Sequence, residues 1–420
     1  MNDNQVNQTI SVIDIGTTKI VVLIAEFDFN KNKISKIIGF GENGSDGLNR
    51  GVVVDIPKTI ISITNAVEQA EKQAGFEISN AFVGISGSHI KGLNYSGVSS
   101  INSNNPNQAI GHSITIEDIE KVKDLAANIN IPPDRRIMHI LPQEYIVDDQ
   151  KGISYPLGLS GRRLEAKVHL VTSSINTEQD ILTCLDQIGI NVVDFILEPL
   201  ASAYSVLNKD EMQLGSILID IGGGTTDIIS YANGSVLQTG VVPIGGTTIT
   251  KDIAYRVQTS IDQAEQLKQN YGCSNLEQAN SSDEIIVKGV AGRNEFKISQ
   301  KLLSEVIEPR IKEIFELAQS EIEQTNFNGD YTFGIVLTGG GSKLNGILQT
   351  AHQIFNMPIK IGLPIDDFKV ENENMDIFDC RYATAIGLIK YAGQNFEDYN
   401  KIKHNSFFIK LKSFLKELIK

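Results

Sequence analysis

An α/β fold of two similar domains is the architecture this chain predicts, and three observations predict it. A short apolar strand that ends in Asp-Ile-Gly, runs on through Thr-Thr and turns back into a second apolar strand occurs twice, at 11–24 (SVIDIGTTKIVVLI) and 216–230 (SILIDIGGGTTDIIS). A third glycine turn, at 335–344 (IVLTGGGSKL), again follows an apolar strand. Between these turns strand patterns alternate with helical ones, as expected of a parallel or mixed sheet covered by helices.

Each repeated turn puts a carboxylate at a strand end, then glycines that let backbone N–H groups approach a ligand, then hydroxyls within reach of phosphate oxygens. An isolated Asp-x-Gly is better explained by an ordinary hairpin. Two copies about two hundred residues apart, followed by a third turn, imply two half-domains closing on one polyphosphate. Asp14 and Asp220 would hold a Mg²⁺ ion between them, and the third turn would receive a base and ribose.

These residues carry a resemblance. Asp14-Ile15-Gly16-Thr17-Thr18-Lys19 resembles the first phosphate loop of the actin superfamily, Asp220 to Asp227 its second, and Gly339-Gly340-Gly341-Ser342 its adenosine loop. Glu198-Pro199-Leu200-Ala201-Ser202-Ala203 is similar to the connecting helix, whose leading acid positions the attacking water in that superfamily. Glu265 and Lys268 have the E-x-x-K spacing with which related ATPases clasp adenine, and one helical turn carries both to one face. Outside this context the pair reads as a solvated ion pair. The resemblance implies ATP and Mg²⁺ as cofactors, with Gly16, Thr17, Thr18 and Lys19 at the terminal phosphates. The backbone of Gly222, Gly223, Gly224 and Thr225, with Thr226 beside them, would hold the other phosphates. Glu198 and Asp227 would position water, giving a weak ATPase at most and a nucleotide that serves mainly assembly.

Strands are expected at 10–27 and 34–41, a helix at 57–74 and a strand at 81–86. The segment 98–113 (VSSINSNNPNQAIGHS) reads as an exposed mobile loop. Thr115, with Asp118 three residues on, opens a helix close to a capping box. Strands at 136–147 and 164–172, helix 177–189, strand 191–197 and helix 199–207 lead to the second phosphate turn. After it come a hairpin at 231–244, helices at 247–257 and 260–270, strands at 284–290 and 295–298, and a long helix at 299–323. Strand 333–338, the third glycine turn and a helix at 381–391 finish the body.

At 420 residues and 41% hydrophobic the chain can bury sizeable cores. Three widely spaced cysteines, Cys184, Cys273 and Cys380, imply neither a disulfide framework nor a zinc site. The polar start MNDNQVNQT and the lack of an apolar run of about eighteen residues predict no signal peptide and no membrane span. A net charge of −14 disfavours nucleic acid as a partner. That charge is unevenly spread: 401–420 carries six lysines against one glutamate, a balance of +5 that leaves −19 on the rest. Residues 392–406 read as a flexible linker. In 407–420, Phe407, Leu411, Phe414, Leu415 and Leu418 share one helical face, with Phe408 at its edge and Lys412 and Lys416 opposite. Such a helix suits an anionic membrane surface; a terminal helix docked on the body is the other reading.

The insertion after 84–90 (GISGSHI), the stretch 305–310 (EVIEPR) and the basic amphipathic end together resemble the FtsA family, bacterial cell-division actin homologues. The resemblance implies subdomain 1A at 10–86 and 165–200, with subdomain 1C, which replaces actin's 1B, inserted at 87–164. Subdomain 2A then occupies 201–245 and 309–378, 2B lies at 246–308, and a terminal 1A helix at 379–391 precedes the linker and membrane helix. The implied partners are the C-terminal peptide of the tubulin homologue FtsZ, further copies of the chain through 1C, other division proteins, and anionic inner-membrane lipids. The peptide groove is placed around Arg293 and the start of the 299–310 helix, with Arg310 as a carboxylate partner, although an arginine there is more often ion-paired. The expected location is the cytoplasmic side of the inner membrane at the septum. A pilus-assembly actin homologue and a sugar- or acetate-type phosphotransferase are the alternatives.

Overall fold

The computed structural model describes residues 8–28, 33–101, 112–282, 284–289, 292, 294–324, 329–371 and 376–395. Two sheets organise them, and the second repeats the first. In the first sheet Lys33–Gly44, Lys19–Asp28 and Gln8–Ile15 form an antiparallel meander, to which Asn80–Ile85 and Asn191–Leu197 add in parallel. In the second, Ser235–Val242, Thr226–Ala232 and Ser216–Ile221 form the meander, and Ile335–Thr338 and Ile359–Ile361 add in parallel. Across these five strands order and direction match one for one, so the duplication visible in two short turns extends well beyond them; the first sheet adds a sixth, two-residue strand, Lys369–Val370, parallel to Lys33–Gly44.

Each unit is covered by helices whose ends are written in the sequence. Helix Ile56–Ala74 starts where the Asp55 side chain accepts from Lys58 N, has Pro57 in its first turn and stops at Gly75 with φ 80°. Its buried face, Ile63, Ala66, Val67 and Ala70, packs on Ile13, Val22 and Val83 of the first sheet. On the second sheet, helices Gly246–Val257, Ile261–Tyr271 and Gln300–Glu323 share one core with Ile217, Ile219 and Leu337.

The expected insertion after Asn80–Ile85 folds on its own core. Its four strands run in the order Gln150–Ile153, Arg135–Val147, Arg163–Ser174, Lys91–Ser100, and helix Ile116–Ala127 lays Ile119, Val122 and Ala126 against Leu164, Ala166 and Val168. Thr115 and Asp118 form both halves of the capping box. The insertion also reaches the second unit, where Gln143 Nε2 donates to Val236 O at 2.9 Å and His169 Nε2 lies 2.8 Å from Thr239 Oγ1.

Several expectations need correction. Strand Lys91–Ser100 takes 98–100 out of the predicted loop, because it pairs along its whole length with Arg163–Ser174. The final helix spans 383–395 and so includes the first four residues of the expected linker; Ala392 is fully buried in the first unit's core, and that packing extends the helix. Helices Lys209–Leu214 and Ile347–Ile354 and strands Ile359–Ile361 and Lys369–Val370 were not anticipated.

Candidate functional site

Strand register decides where the acids go. Asp14 lies opposite Gly84 on its parallel neighbour, and Asp220 opposite Thr338. Directly across the antiparallel pair from Asp220 is Asp227, and residues opposite one another share a face. All three aspartates are buried. Glu198, the first residue of helix Glu198–Val206, comes against Gly84, whose added Cβ would stand 3.3 Å from Glu198 Cγ. Four acids thus converge from both units.

The two repeated turns touch. A Cβ on Gly223 would stand 2.4 Å from Thr18 Cγ2, and one on Gly224 2.3 Å from Thr17 Oγ1, so only glycine permits this approach. Thr17 Oγ1 accepts from Gly51 N at 3.1 Å, Gly16 sits over the Lys19 carbonyl, and Gly222 N donates to Thr225 O. At the third turn Gly339 has φ +79°, and a side chain there would collide with Asp220 Oδ1, 2.1 Å from its Cβ. Among the described residues outside its chain neighbours, Gly340 has only Arg381 Cγ within 4 Å of an added Cβ. Gly341 packs on Ile221. Ser342 Oγ donates to Gly339 O and Thr226 Oγ1 to Ile244 O, so both hydroxyls brace the turns.

Crowding acids in a dry place raises their proton affinity. Burial first, then the Asp220 charge, pushes Asp14 up to about 6 against the pull of Lys19. Burial, then Asp220 and Asp14, pushes Asp227 up to about 7, although Ser86 and Thr225 donate to it. Burial also raises Asp220, opposed by hydrogen bonds from Ser202 and Thr384. Glu198 is raised well above the usual range by burial and then by Asp14, Asp227 and Asp220. Among the described residues no cluster of three or more His, Cys, Asp or Glu is arranged to hold a metal by itself. The donor set fits a hard cation that takes one or two carboxylates and completes its shell with water and phosphate, as Mg²⁺ does.

The remaining predicted residues fall into four groups. Lys19 reaches the acids: its ammonium donates to Arg381 O and lies 4.4 Å from the Tyr382 ring centre, and burial lowers its proton affinity against the opposing pull of Asp14 and Glu42. Glu265 and Lys268 do share a face, and Lys268 Nζ donates to Gly246 O, Thr250 Oγ1 and Glu265 Oε2 at 3.0, 2.9 and 2.7 Å. Gly246 N in turn donates to Gly222 O, so the pair braces the second phosphate turn. Arg310 is ion-paired with Asp252 at 2.7 Å and with Glu313. Arg293 and the whole of 407–420, with Phe407, Phe408, Leu411, Lys412, Phe414, Leu415, Lys416 and Leu418, lie outside the described residues.

Sequence reasoning missed the hydroxyls that hold the acids. Ser86 Oγ donates to Asp227 Oδ1 at 2.5 Å from 141 positions away, and Ser202 Oγ and Thr384 Oγ1 donate to Asp220 Oδ2 at 2.7 and 3.3 Å. Ser86 was in plain view in the stretch GISGSHI, but nothing local ties it to an acid in the other half.

Comparison with known proteins gives this arrangement a lineage. The chain is similar in fold to the PilM chain of a PilM–PilN type IV pilus biogenesis complex (TM-score 0.65, 16% identity, 93% of this chain and 99% of that one). It is likewise similar to MreB5 of Spiroplasma citri bound to ADP (TM-score 0.53, 15% identity, 93% and 98%). At such identities these likenesses establish the actin-like fold alone. The family model described as "Cell division protein FtsA" matches residues 217–387, and that of the "SHS2 domain inserted in FTSA" matches 87–172, the span of the four-stranded insertion. Cell division protein FtsA of Pseudomonas aeruginosa is 42% identical over 92% of this chain and 89% of its own length. The Escherichia coli K12 protein of that name is 34% identical over 91% and 90%, and the Bacillus subtilis one 34% over 94% and 85%. Matched at this level along nine tenths of its length, insertion included, the chain belongs to the FtsA family of cell division proteins.

Proposed function

We propose that this division protein binds ATP with Mg²⁺ between its two sheet units, assembles into polymers, and ties FtsZ filaments to the cytoplasmic face of the inner membrane at the septum. The observation that carries the nucleotide reading is the meeting of the two Thr-bearing turns over three buried aspartates, Asp14, Asp220 and Asp227, and the half-buried Glu198. Such a cluster suits a cation and the phosphates that bridge to it. A relative of the same fold, MreB5 of Spiroplasma citri, has been solved with ADP and with AMPPNP, which supports the same reading.

In this reading Asp14 and Asp220 hold Mg²⁺, and Thr17, Thr18 and Lys19 meet the terminal phosphates. The Gly222–Thr225 backbone takes the others, the Gly339–Ser342 turn receives adenosine, and Glu265 and Lys268 close over the base. Mg²⁺ supplies charge neutralisation at the phosphates, while Glu198 and Asp227 orient water for a slow hydrolysis. The domain assignment follows: 1A, 1C at 87–174, which the pairing of strand Arg163–Ser174 carries past the expected end at 164, 2A, 2B at 246–308, and an amphipathic membrane helix at 407–420. Subdomain 1C supplies polymer contacts, and 2B takes the acidic FtsZ C-terminal peptide, for which Arg310 would exchange Asp252 or Glu313 for a peptide carboxylate.

Titration calorimetry with ATP and Mg²⁺ tests the site. Asp14→Ala removes an ion-holding acid, and Gly340→Asp puts a charged side chain at the third turn, where an added Cβ stands 3.8 Å from Arg381 Cγ; both should abolish binding. Unchanged affinity in both folded variants would refute the cleft assignment.

A further inference from the structure

One cation in the cleft belongs to no motif. Arg381 sits in the short turn Cys380–Tyr382, directly before the 383–395 helix. Its guanidinium carbon lies 5.1 Å from the centre of the Tyr382 ring, and its Nε donates to Asp379 Oδ1 at 3.1 Å. Tyr382 is itself fixed, by a 2.7 Å hydrogen bond from its hydroxyl to Glu42 and an edge contact with Phe40. Asp379 is fixed too: it accepts from Arg381 N at 2.9 Å and pairs with Lys343 of the third glycine turn. A long, rotamer-rich side chain is thus held in one place at the edge of a cleft, with nearly half of its surface still exposed.

Where it is held matters. Among the described residues outside its chain neighbours, the atom that approaches an added Cβ at Gly340 is Arg381 Cγ, at 3.8 Å. From the other direction, Lys19 of the first phosphate turn donates to the Arg381 carbonyl. Arg381 therefore stands between the turn assigned to the phosphates and the turn assigned to the nucleoside. Charge points the same way. Asp379 pairs with both Arg381 and Lys343, and Glu42 faces Arg381 and Lys19, so three cations, Lys19, Lys343 and Arg381, gather at this edge around two acids. An arginine held by a tyrosine ring and one shared acid, and left open to the cleft, is arranged to receive an anion.

We propose that Arg381 is a nucleotide-binding residue of this cleft, its guanidinium lying against the nucleotide between the Gly340 turn and the first phosphate turn. The inference rests on the nucleotide reading above and adds a contact that the loop motifs do not contain. Losing a hydrogen bond to a charged group weakens binding by about tenfold or more. Calorimetry with ADP and Mg²⁺ on Arg381→Ala, Arg381→Lys and Gly340→Asp, beside ligand-free thermal melts, tests it. The expected result is an affinity about tenfold weaker for Arg381→Ala, a smaller loss for Arg381→Lys, which keeps a point charge without the planar fork, and melts matching the parent. Should Arg381→Ala fail to fold, Arg381→Gln takes its place. Loss of ADP binding in Gly340→Asp with parental affinity in Arg381→Ala overturns this inference and leaves the cleft reading standing. Parental affinity in Gly340→Asp overturns the cleft reading, and this inference with it.

Discussion

Replacing Asp227 by asparagine removes one of two acids that stand directly opposite each other on neighbouring strands, while leaving oxygen for the Ser86 hydroxyl to bond. Burial and its neighbours move Asp227 from an ordinary 3.8 to about 7. At about 1.4 kcal/mol for each factor of ten in proton affinity, the ionised side chain costs the ligand-free fold on the order of 4 kcal/mol. Between those two pH values the folded protein holds a proton that the unfolded chain has released. Raising the pH there favours unfolding; above about 7 both states are ionised and the penalty is constant. The stability gained by Asp227→Asn should therefore grow by about 2–3 kcal/mol from pH 5 to pH 8 and then level off. Thermal melts of both proteins, stripped of nucleotide and divalent cations, read this at about 2–4 °C per kcal/mol for a domain of this size. A difference independent of pH, or one that shrinks as pH rises, would refute the account of the acid cluster.

Glu198→Ala should leave nucleotide affinity within about twofold and slow any hydrolysis by about a hundredfold, the size of a general acid–base or water-orienting contribution; single-turnover phosphate release measures it, and an unchanged rate would make Glu198 a structural residue beside Pro199. Membrane attachment should reside in 407–420: Phe414→Glu or Leu415→Glu should abolish co-sedimentation with anionic liposomes. Salt should weaken it, because each lysine contributes about 1 kcal/mol near such a surface. Polymers should bind far more tightly than monomers, since each presents many tails. Equal sedimentation of the full chain and one ending at Asn405 would return the tail to a docked helix.

The loops were legible because their chemistry is local. Asp-Ile-Gly followed by Thr-Thr carries acid, bare backbone and hydroxyl within a few residues, and the structure brings both copies together as that spacing implied. Partnerships across the fold were not legible. Thr384 reaches Asp220 from 164 positions away, and no local pattern marks a threonine for that task. Helix Ile347–Ile354 begins after Gly346 at φ 76° with no side-chain cap, so its start carried no sequence signal. Helix Lys209–Leu214 is a different case, since Asn208 and Glu211 form a complete capping box that pattern reading could have found. The extension of the last helix past 391 was hidden by polar neighbours, and burial of Ala392 overrode them.

The duplicated units differ where function requires them to differ. Opposite Asp14 in the first unit lies Val21; opposite Asp220 in the second lies Asp227. The acid proposed to position water therefore has a counterpart in neither strand of the first unit's turn, and it is held by a hydroxyl from that unit: Ser86 follows strand Asn80–Ile85 of the first sheet. Asp220 is held in the same crossed fashion by Thr384, whose helix packs on the first sheet. Opening the two units would break both bonds but would also hydrate the acids and draw them apart, so without a ligand it is closure that carries the penalty of burial and crowding. A cation and phosphates that lower the same penalty must then favour the closed arrangement by their differential affinity for it. By linkage, whatever holds the units closed must tighten the ligand in turn. In the proposed reading a polymer contact that selects the closed arrangement is such a partner, so bound nucleotide and assembly would strengthen one another without any need for rapid chemistry.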